Sequence, residues 1–358
     1  MRTRNKVILG GFATGTLIAG VAAGASAVLA ARRAFRLFNE WQRQRGDDLR
    51  GQTVVITGSS RGLGLALAEE FARHGAKIVL SARNERELVR ARQQVERLGA
   101  DVSAVTADVS RPDQAEHLVN AARQHFGHVD ILVNNAGTIS VGPLLSHGLD
   151  DFREAMDVIF WGMVQPTLAV LPSMMERGRG KIVNITSVGG RISMPHLLPY
   201  SCAKFATVGF SEGFHAELKK HGIHVLTVVP GLMRTGSHLH AQFKGKHEHE
   251  YRWFAVGATN PLLSVSVENA AKRIVNAARR NRVDLVIGWQ ARALLHAHGA
   301  SPSLAAEALA LVNRLLPEHR DGTEKKRGHE IESAVARSAL TALGRKAARR
   351  YNQTEEIA

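Results

Sequence analysis

The sequence predicts an α/β fold, a doubly wound parallel sheet with helices on both faces, together with an N-terminal transmembrane helix and a C-terminal helical extension. Three observations predict the sheet. From residue 51 onward, short β-branched runs alternate with longer amphipathic segments. The short runs are almost continuously apolar, as in strands that are buried on both faces. A glycine-rich turn, Gly58–Gly64, separates the first run from the first helical pattern.

The predicted elements follow one another as strand and helix. Thr53–Thr57 is predicted as the first strand and Leu63–His74 as the helix after it. Lys77–Ser81 and Glu85–Leu98 repeat the pair, with one charged face on the second helix. The remaining predicted strands are Val102–Ala107, Ile131–Asn134, Lys181–Thr186, His224–Val229 and Val283–Ile287. This series is typical of a Rossmann-type domain, whose ligands bind at the carboxyl ends of the strands.

An uncharged segment near the start predicts a membrane anchor. Val7–Ala31 is 25 residues without a charged side chain, and about 20 apolar residues cross a bilayer as a helix. A cleavable signal peptide is the alternative, because Ala25-Ser26-Ala27 resembles a cleavage site. The run exceeds the usual h-region of about 7–15 residues, which favours an uncleaved anchor. Three basic residues before the run and five after it predict that the following domain faces the cytoplasm.

The chain divides into four predicted regions. Residues 1–50 are the anchor and its linker, and residues 51–290 are the dinucleotide-binding catalytic domain. Residues 291–317 are a helical extension, in which Ala291–Leu316 is predicted as helical. Residues 318–358 are a basic tail with a flexible polar stretch, 318–330, and a last helix, Ile331–Tyr351, that is exposed to solvent or lies on a membrane surface.

Composition narrows the partners. The net charge of +15 is densest in residues 1–50, which carry nine Lys or Arg against three acids. No nucleic-acid-binding motif accompanies this charge and aromatic residues are only 5%, so a membrane surface is favoured and a nucleic acid is not. Cys202 is the only cysteine, so an intrachain disulfide is excluded, and a buried thiol is favoured over a nucleophile. A histidine-rich stretch is predicted as a mobile loop rather than a metal site: His238, His240, His247 and His249.

The glycine-rich turn predicts a nicotinamide dinucleotide. Its spacing is Gly58-x-x-x-Gly62-x-Gly64; glycines let the backbone approach a pyrophosphate, and the helix N-terminus offers free N–H groups. An acid near the end of the second strand would hold the ribose of NAD. This chain has Arg83 there and Arg61 inside the turn. Two guanidinium groups suit a 2′-phosphate, so NADP(H) is predicted and NAD(H) is less favoured.

A tyrosine, a lysine and a serine predict the chemistry. Tyr200 and Lys204 are i and i+4, so on a helix they share one face. Free tyrosine has a pKa of about 10. A lysine ammonium and an oxidised nicotinamide beside it would favour the phenolate. Ser187, thirteen residues upstream at the end of a strand, is placed to donate a hydrogen bond to a substrate carbonyl.

Taken together, these motifs resemble the short-chain dehydrogenase/reductase family over roughly residues 51–290. The resemblance implies that Tyr200 donates or accepts the proton, that Ser187 orients the carbonyl, and that Lys204 holds the nicotinamide ribose. It further implies that Asp108 and Val109 contact the adenine, that Asn135, Ala136 and Gly137 line the cofactor site, and that Pro230, Gly231 and Thr235 lie near the nicotinamide amide. With the turn and the arginines, the candidate cofactor residues are Gly58, Ser60, Arg61, Gly62, Leu63, Gly64, Arg83, Asp108, Val109, Asn135, Ala136, Gly137, Tyr200, Lys204, Pro230, Gly231 and Thr235.

The anchor and the apolar extension resemble membrane-associated members of the family that act on steroids, retinoids or other lipids. The expected function is interconversion of a carbonyl and an alcohol on a hydrophobic substrate, and a homodimer is a further expectation of the resemblance.

Many members have an asparagine where this chain has Ile159, and there it supports a water-mediated proton relay. This departure motivates an alternative, a catalytically weak NADP(H)-binding scaffold or redox sensor. Phe243, Trp253 and Phe254 form either a substrate lid or ordinary core.

Overall fold

The computed structural model describes residues 47–318, 324–331 and 341–354. The predicted anchor, Val7–Ala31, lies outside these ranges. Asp48–Ala358 is one compact unit. Its centre is a seven-stranded sheet in which every pair of neighbouring strands is parallel, as the alternating pattern predicts.

Each strand of this sheet lies within one residue of its predicted bounds. The strands are β1 (Thr53–Thr57), β2 (Lys77–Ala82), β3 (Val102–Thr106), β4 (Ile131–Asn134), β5 (Gly180–Ile185), β6 (Ile223–Pro230) and β7 (Asp284–Ile287). Their order across the sheet is β7-β6-β5-β4-β1-β2-β3. Two-residue strands form small separate pairings at Ser140–Val141, Met233–Arg234, Gln242–Phe243, Val265–Ser266 and Lys326–Arg327.

Helices cover both faces of the sheet. They are α1 (Gly62–Arg73), α2 (Glu85–Glu96), α3 (Pro112–Phe126), α4 (Leu149–Ala155), α5 (Gly162–Glu176), α6 (Leu198–Leu218), α7 (His247–Thr259), α8 (Val267–Arg279), α9 (Trp289–Ala300), α10 (Pro302–Asn313) and α11 (Ala342–Arg350). α1, α2 and α8 pack on one face with Val54 and Ile56 of β1. α3 and α5 pack on the other with Val55. Side chains alternate between faces along a strand, so β1 is buried on both sides.

The strand order reverses beside β1, which pairs with β2 on one side and with β4 on the other. In an open parallel sheet, ligands bind at such a reversal, outside the carboxyl ends of the strands. Thr57 ends β1 and Asn134 ends β4. The fold therefore brings the glycine-rich turn and the Asn134-Asn135 pair to the expected crevice.

The predicted extension, Ala291–Leu316, is not one continuous helix. α9 ends at Ala300, Ser301 is extended with φ −152°, and α10 begins at Pro302. Ser301 Oγ accepts a hydrogen bond from the Leu304 N–H at 3.4 Å. Proline suits the first turn of a helix and disrupts its interior, so the chain starts a new helix at this point.

The described parts of the C-terminal tail, residues 324–331 and 341–354, pack against the domain. For these residues the prediction of a flexible stretch and of an exposed or membrane-bound helix is wrong. Lys326–Arg327 pairs antiparallel with Gln242–Phe243. α11 follows, and Tyr351 is 1% exposed within the core formed by α1, α2 and α8. The charge pattern showed the basic face of this helix and not the burial of Ala348 and Tyr351 on the other side.

The histidine-rich segment is also folded, which corrects the prediction of a mobile loop. His238 is 2% exposed in a short 3-10 turn, and His247 begins α7. Phe243 and Phe254 are buried with Tyr251 in a small core of their own. Of the two interpretations offered for these aromatic residues, core packing is the one that the structure shows.

One helical stretch among the described residues, Leu149–Glu176, is long and apolar enough to cross a membrane. It joins α4, a π-helical turn and α5, and 44% of its most apolar window is buried inside the domain. Core helices of globular domains meet the same criteria, so this stretch is weak support for a membrane span.

Candidate active site

The predicted site residues lie on loops at one edge of the sheet. Because the strands are parallel, their carboxyl ends share that edge. The loops contribute Gly58 after β1, Arg83 after β2, Asp108 after β3, Asn135 after β4, Ser187 after β5 and Gly231 after β6. Pro230 is the last residue of β6, and Thr235 lies a few residues beyond it.

The glycine-rich turn is tied to the loop after β4. Thr57 Oγ1 accepts hydrogen bonds from the N–H groups of Asn135 and Ala136 at 3.0 and 3.1 Å. Asn135 Nδ2 donates to the carbonyls of Thr57 and Gly58, both at 3.0 Å. A Cβ on Gly58 would lie 2.8 Å from Ala136 Cα, and one on Gly64 would overlap the Gly58 carbonyl. Only glycine fits at these two positions.

This turn fits the pyrophosphate of a dinucleotide. The first N–H groups of a helix have no partner inside the helix, and the N-cap residue of α1, Arg61, supplies no side-chain cap. Gly62 has φ +58°, a left-handed conformation that favours glycine. Leu63 and Gly64 thus present the helix N-terminus at the crevice, where a phosphate would be held, whereas the Gly62 N–H donates to the Tyr351 carbonyl.

The two arginines predicted to hold a 2′-phosphate each lie beside a carboxylate. Arg61 Nη1 is 3.1 Å from Glu87 Oε1, and Arg83 Nη1 is 4.0 Å from Asp108 Oδ2. Glu87 also accepts a hydrogen bond from Ser60 Oγ at 2.8 Å. Its carboxylate is therefore bonded to two of the groups that would contact the phosphate.

Glu87 was missed by the sequence analysis, which considered only acids near the end of the second strand. It lies in the first turn of α2, and its N–H donates to the side chain of the N-cap residue Asn84 at 3.2 Å. The signal was present as Asn84-x-x-Glu87, a spacing that commonly marks a helix start. In this fold, the third residue of that helix, Glu87, also faces Ser60 and Arg61 of the glycine-rich turn.

Ser187, Tyr200 and Lys204 come together beyond the end of β5. The Tyr200 ring and the Ser187 side chain both lie against Gly189, so the two hydroxyl-bearing side chains are neighbours. Lys204 lies one turn further along α6, with Nζ 5.8 Å from the centre of the Tyr200 ring. Lys204 Nζ donates to the Ile185 carbonyl at 2.8 Å, and the residue is 5% exposed.

Two glycines shape the turn that carries Ser187. Ser187 Oγ accepts a hydrogen bond from the Gly189 N–H at 3.0 Å. A Cβ on Gly189 would lie 3.2 Å from Tyr200 Cε1, and one on Gly190 would lie 2.5 Å from the Lys204 carbonyl oxygen. The sequence analysis did not identify these glycines, although they directly follow Ser187. They let the turn pack closely against α6.

Burial dominates the titration of this site. It raises the pKa of Tyr200, and the neighbouring Ser187 side chain acts in the opposite direction. Burial lowers the pKa of Lys204 to about 8. Lys204 was predicted to favour the phenolate, but its ammonium donates to the Ile185 carbonyl. Tyr200 therefore keeps its proton at neutral pH, which is the state required of a proton donor.

A family model described as short chain dehydrogenase matches residues 52–243. The chain belongs to the short-chain dehydrogenase family. It is therefore related to oxidoreductases that use nicotinamide cofactors.

Two relatives of this short-chain dehydrogenase are named for lipid or steroid substrates. The 3-dehydrosphinganine reductase of Danio rerio is 37% identical over 187 residues, which are 51% of this chain and 56% of that protein. The 17-beta-hydroxysteroid dehydrogenase 13 of Homo sapiens is 36% identical over 196 residues, which are 54% of this chain and 65% of that protein. The chain thus covers less than two thirds of the length of each.

A solved structure similar to this short-chain dehydrogenase is L-sorbose reductase from Gluconobacter frateurii, complexed with NADPH and L-sorbose. It has a TM-score of 0.61 and 29% identity, and the match covers 67% of this chain and 97% of that chain. The likeness supports the Rossmann-type fold.

Within this short-chain dehydrogenase, an alkyl group packs beside Tyr200. Ile159 lies in a π-helical turn, Met156–Trp161, between α4 and α5. It is 1% exposed and packs with Ala203 and Tyr200. The side chain at the position of the expected relay asparagine therefore has no hydrogen-bonding atom. π-Helical turns occur often at functional sites, and no local sequence pattern predicts this one.

A buried polar chain under the site was also missed. Asn134 Nδ2 donates to Thr167 Oγ1 and to Asn184 Oδ1, both at 2.8 Å. Asn184 Nδ2 donates to Ser211 Oγ at 3.0 Å, and Ser211 Oγ is 2.7 Å from Thr227 Oγ1. These bonds join β4, β5 and β6 to α5 and α6, and so fix the strands whose ends carry the site loops.

The other predicted cofactor residues are engaged in local contacts. Asp108 Oδ1 accepts hydrogen bonds from the Ser110 N–H and hydroxyl, and Val109 is 7% exposed. The Gly231 N–H donates to the Ile287 carbonyl, and Thr235 Oγ1 accepts from the Ser237 N–H. A Cβ on Gly137 would lie 4.0 Å from Ile159 Cγ1. Cys202 is exposed, which corrects the expectation of a buried thiol.

Proposed function

We propose that this protein is an NADP(H)-dependent oxidoreductase that interconverts a carbonyl and an alcohol on a hydrophobic substrate. One observation carries the proposal: Ser187 and Tyr200 lie together beside Gly189, with Lys204 one helical turn away, at the same sheet edge as the glycine-rich turn. A hydroxyl pair of this kind can bind a carbonyl oxygen and deliver a proton to it.

Each residue has a distinct task in the proposed reduction. The nicotinamide supplies the hydride when it is bound. Tyr200, protonated at neutral pH because burial raises its pKa, gives its proton to the carbonyl oxygen. Ser187 donates a hydrogen bond to the same oxygen. Lys204 holds the ribose. As a cation it also stabilises the phenolate that forms when Tyr200 gives up its proton.

The preference for NADP(H) rests on Arg61 and Arg83, both within reach of the crevice, and on the NADPH bound by L-sorbose reductase. Glu87 opposes it, because its carboxylate is bonded to Ser60 and Arg61. A 2′-phosphate dianion must therefore draw Arg61 from Glu87. NAD(H) is the less favoured cofactor.

We propose that the apolar part of the substrate enters an open cavity of about 680 Å³ beside the start of α6, whose lining mixes apolar side chains with polar ones such as Ser193, Asn313 and Arg314. Leu144 and Leu145 line it on one side, Met194 on the loop before α6, and Leu309 and Leu316 at the end of the extension. The lipid and steroid names of two relatives point the same way.

We further propose a membrane-anchored protein with its catalytic domain facing the cytoplasm, divided as in the four predicted regions and assembled as a homodimer.

The test uses the full chain purified in detergent, with NADPH oxidation measured against steroids, retinals, 3-ketoacyl thioesters and long-chain aldehydes. Tyr200→Phe should lower kcat by about 10²–10⁴-fold, the usual contribution of a general acid. NADPH affinity should change little. Cys202→Ser, an exposed change on the same helix, is the matched control. Equal turnover by Tyr200→Phe and the wild type would rule out the proposed chemistry.

A binding scaffold or redox sensor is the second candidate, because Ile159 offers no hydrogen-bonding atom for a proton relay. Tight NADPH binding without turnover of any carbonyl would favour it. The grouping of Ser187, Tyr200 and Lys204 argues against it, since dinucleotide binding alone does not need the two hydroxyl groups.

A further inference from the structure

Residues 341–354, here called the C-terminal segment, are anchored in the domain. Tyr351 is 1% exposed and Ala348 is fully buried. A Cβ on Gly344 would overlap Thr259 of α7, and one on Gly236 would lie 2.6 Å from the Ala348 side chain. The helix is thus held closely against the end of α7 and the loop after β6.

The end of this segment contacts the glycine-rich turn directly. The Gly62 N–H donates to the Tyr351 carbonyl at 2.8 Å. Asn352 Nδ2 donates to the Ser60 carbonyl at 3.2 Å. A Cβ on Gly62 would lie 2.5 Å from Gln353 Nε2, so the Gln353 amide packs against the turn. Both residues of the turn that flank Arg61 are therefore held by the C-terminal segment.

The same segment also holds the loop that follows β6. His240 Nε2 is 2.9 Å from the Gln353 carbonyl oxygen and 3.4 Å from Arg61 Nη1. Burial, with the neighbouring Arg61 as the next cause, lowers the pKa of His240 to about 4, so the ring is neutral at physiological pH. A neutral imidazole does not repel Arg61. Glu87 also contacts Arg61. The Arg61 guanidinium group therefore has the Glu87 carboxylate and the His240 ring as neighbours, and the C-terminal segment orients His240.

We propose that the C-terminal segment positions Ser60, Arg61 and Gly62 for the cofactor and thereby sets the preference for NADPH over NADH. This inference rests on the proposed function, since it assigns the 2′-phosphate to Arg61. The segment acts through the turn. It fixes the backbone on both sides of Arg61 and, through His240, the surroundings of its guanidinium group.

The test uses substitutions in the full chain that should displace the C-terminal segment from the domain and that lie far from the glycine-rich turn. Gly344→Leu and Ala348→Glu each place a large side chain where the structure leaves no room. Dissociation constants for NADPH and NADH are measured by fluorescence titration. We expect the NADPH value to rise about tenfold or more, equivalent to about 1.4 kcal/mol. NADH, which lacks the 2′-phosphate, should change by less than about threefold. Lys346→Ala, exposed on the same helix, should change neither value.

A milder variant covers the case in which undocking unfolds the domain. Asn352 has φ +53°, so Asn352→Gly removes the bond to Ser60 and keeps the backbone conformation accessible. It should weaken NADPH binding by about threefold to tenfold with an unchanged melting temperature. Unchanged or tighter NADPH binding in folded variants overturns the inference, and so does an equal loss for both dinucleotides. A wild-type chain that binds neither dinucleotide would instead overturn the proposed function.

Discussion

Lys204 shows a conflict between stability and chemistry in one residue. It is 5% exposed, and burial lowers its pKa to about 8 from an ordinary value of 10.5. The folded chain binds this proton more weakly than the unfolded chain, so the charged lysine destabilises the fold below about pH 8. The penalty disappears as the pH rises from about 8 toward 10.5, where the unfolded chain also loses the proton.

Lys204→Met should therefore stabilise the fold and lower the catalytic rate. We expect the free energy of unfolding at pH 7 to rise by about 1–3 kcal/mol. The loss of the hydrogen bond to the Ile185 carbonyl reduces this gain. The advantage should shrink between pH 8 and 10, while kcat falls at every pH. Urea denaturation across this range measures the difference, with Lys346→Ala as the exposed control. A variant less stable than the wild type at pH 7 contradicts the burial argument.

Glu87 makes a second residue-scale prediction. Its carboxylate stands 3.1 Å from Arg61, where a 2′-phosphate would compete for the same guanidinium group. Glu87→Gln removes the negative charge and keeps the shape, so NADPH should bind about fivefold more tightly, equivalent to about 1 kcal/mol. NADH binding should be nearly unchanged. Glu85→Gln, in the same helical turn and exposed, is the matched control. Weaker NADPH binding by Glu87→Gln would mean that the carboxylate orients Arg61 instead.

At the scale of elements, the π-helical turn Met156–Trp161 places Ile159 against Tyr200. Ile159→Asn would bury an amide at a position that is 1% exposed. We expect the free energy of unfolding to fall by about 1–3 kcal/mol. kcat should fall about fivefold as Tyr200 loses its apolar support, equivalent to about 1 kcal/mol. Ile159→Val should keep kcat. A higher kcat in Ile159→Asn would show that a relay at this position limits the wild-type enzyme.

The strands of the central sheet were predictable, and some other elements were not. A continuous apolar run such as Thr53–Thr57 has one stable environment, the middle of a covered sheet, so its bounds follow from composition. The break at Ser301 was visible as a proline and was passed over because the leucine pattern continues through it. The π-helical turn depends on tertiary packing and has no local pattern.

The candidate site divides in the same way. Ser187, Tyr200 and Lys204 were found because strand ends and helix spacing determine their positions. Glu87 was missed because its role depends on how α2 turns back toward the glycine-rich turn. The C-terminal segment was missed because it contacts that turn across a separation of 292 residues, which no local pattern encodes.

For the whole molecule, the C-terminal segment is part of the core. Tyr351 is 1% exposed among residues of α1, α2 and α8, whereas Leu343 on α11 is 49% exposed. Tyr351→Ala should reduce the free energy of unfolding by about 3 kcal/mol, as for other buried aromatic residues. Leu343→Ala should change it by less than about 0.5 kcal/mol. Equal effects in urea denaturation would mean that the segment is not docked in solution.

The hydrogen bond from Gly62 to Tyr351 also affects the order in which the protein matures. A ribosome makes the glycine-rich turn long before Tyr351, so the turn lacks its partner while the whole intervening sheet is synthesised. Nascent chains, and chains released by a premature stop codon before Tyr351, would carry the whole sheet without this hydrogen bond. The ability to retain a dinucleotide would then mark a chain synthesised beyond Tyr351, and shorter truncation products would be the ones left for proteases.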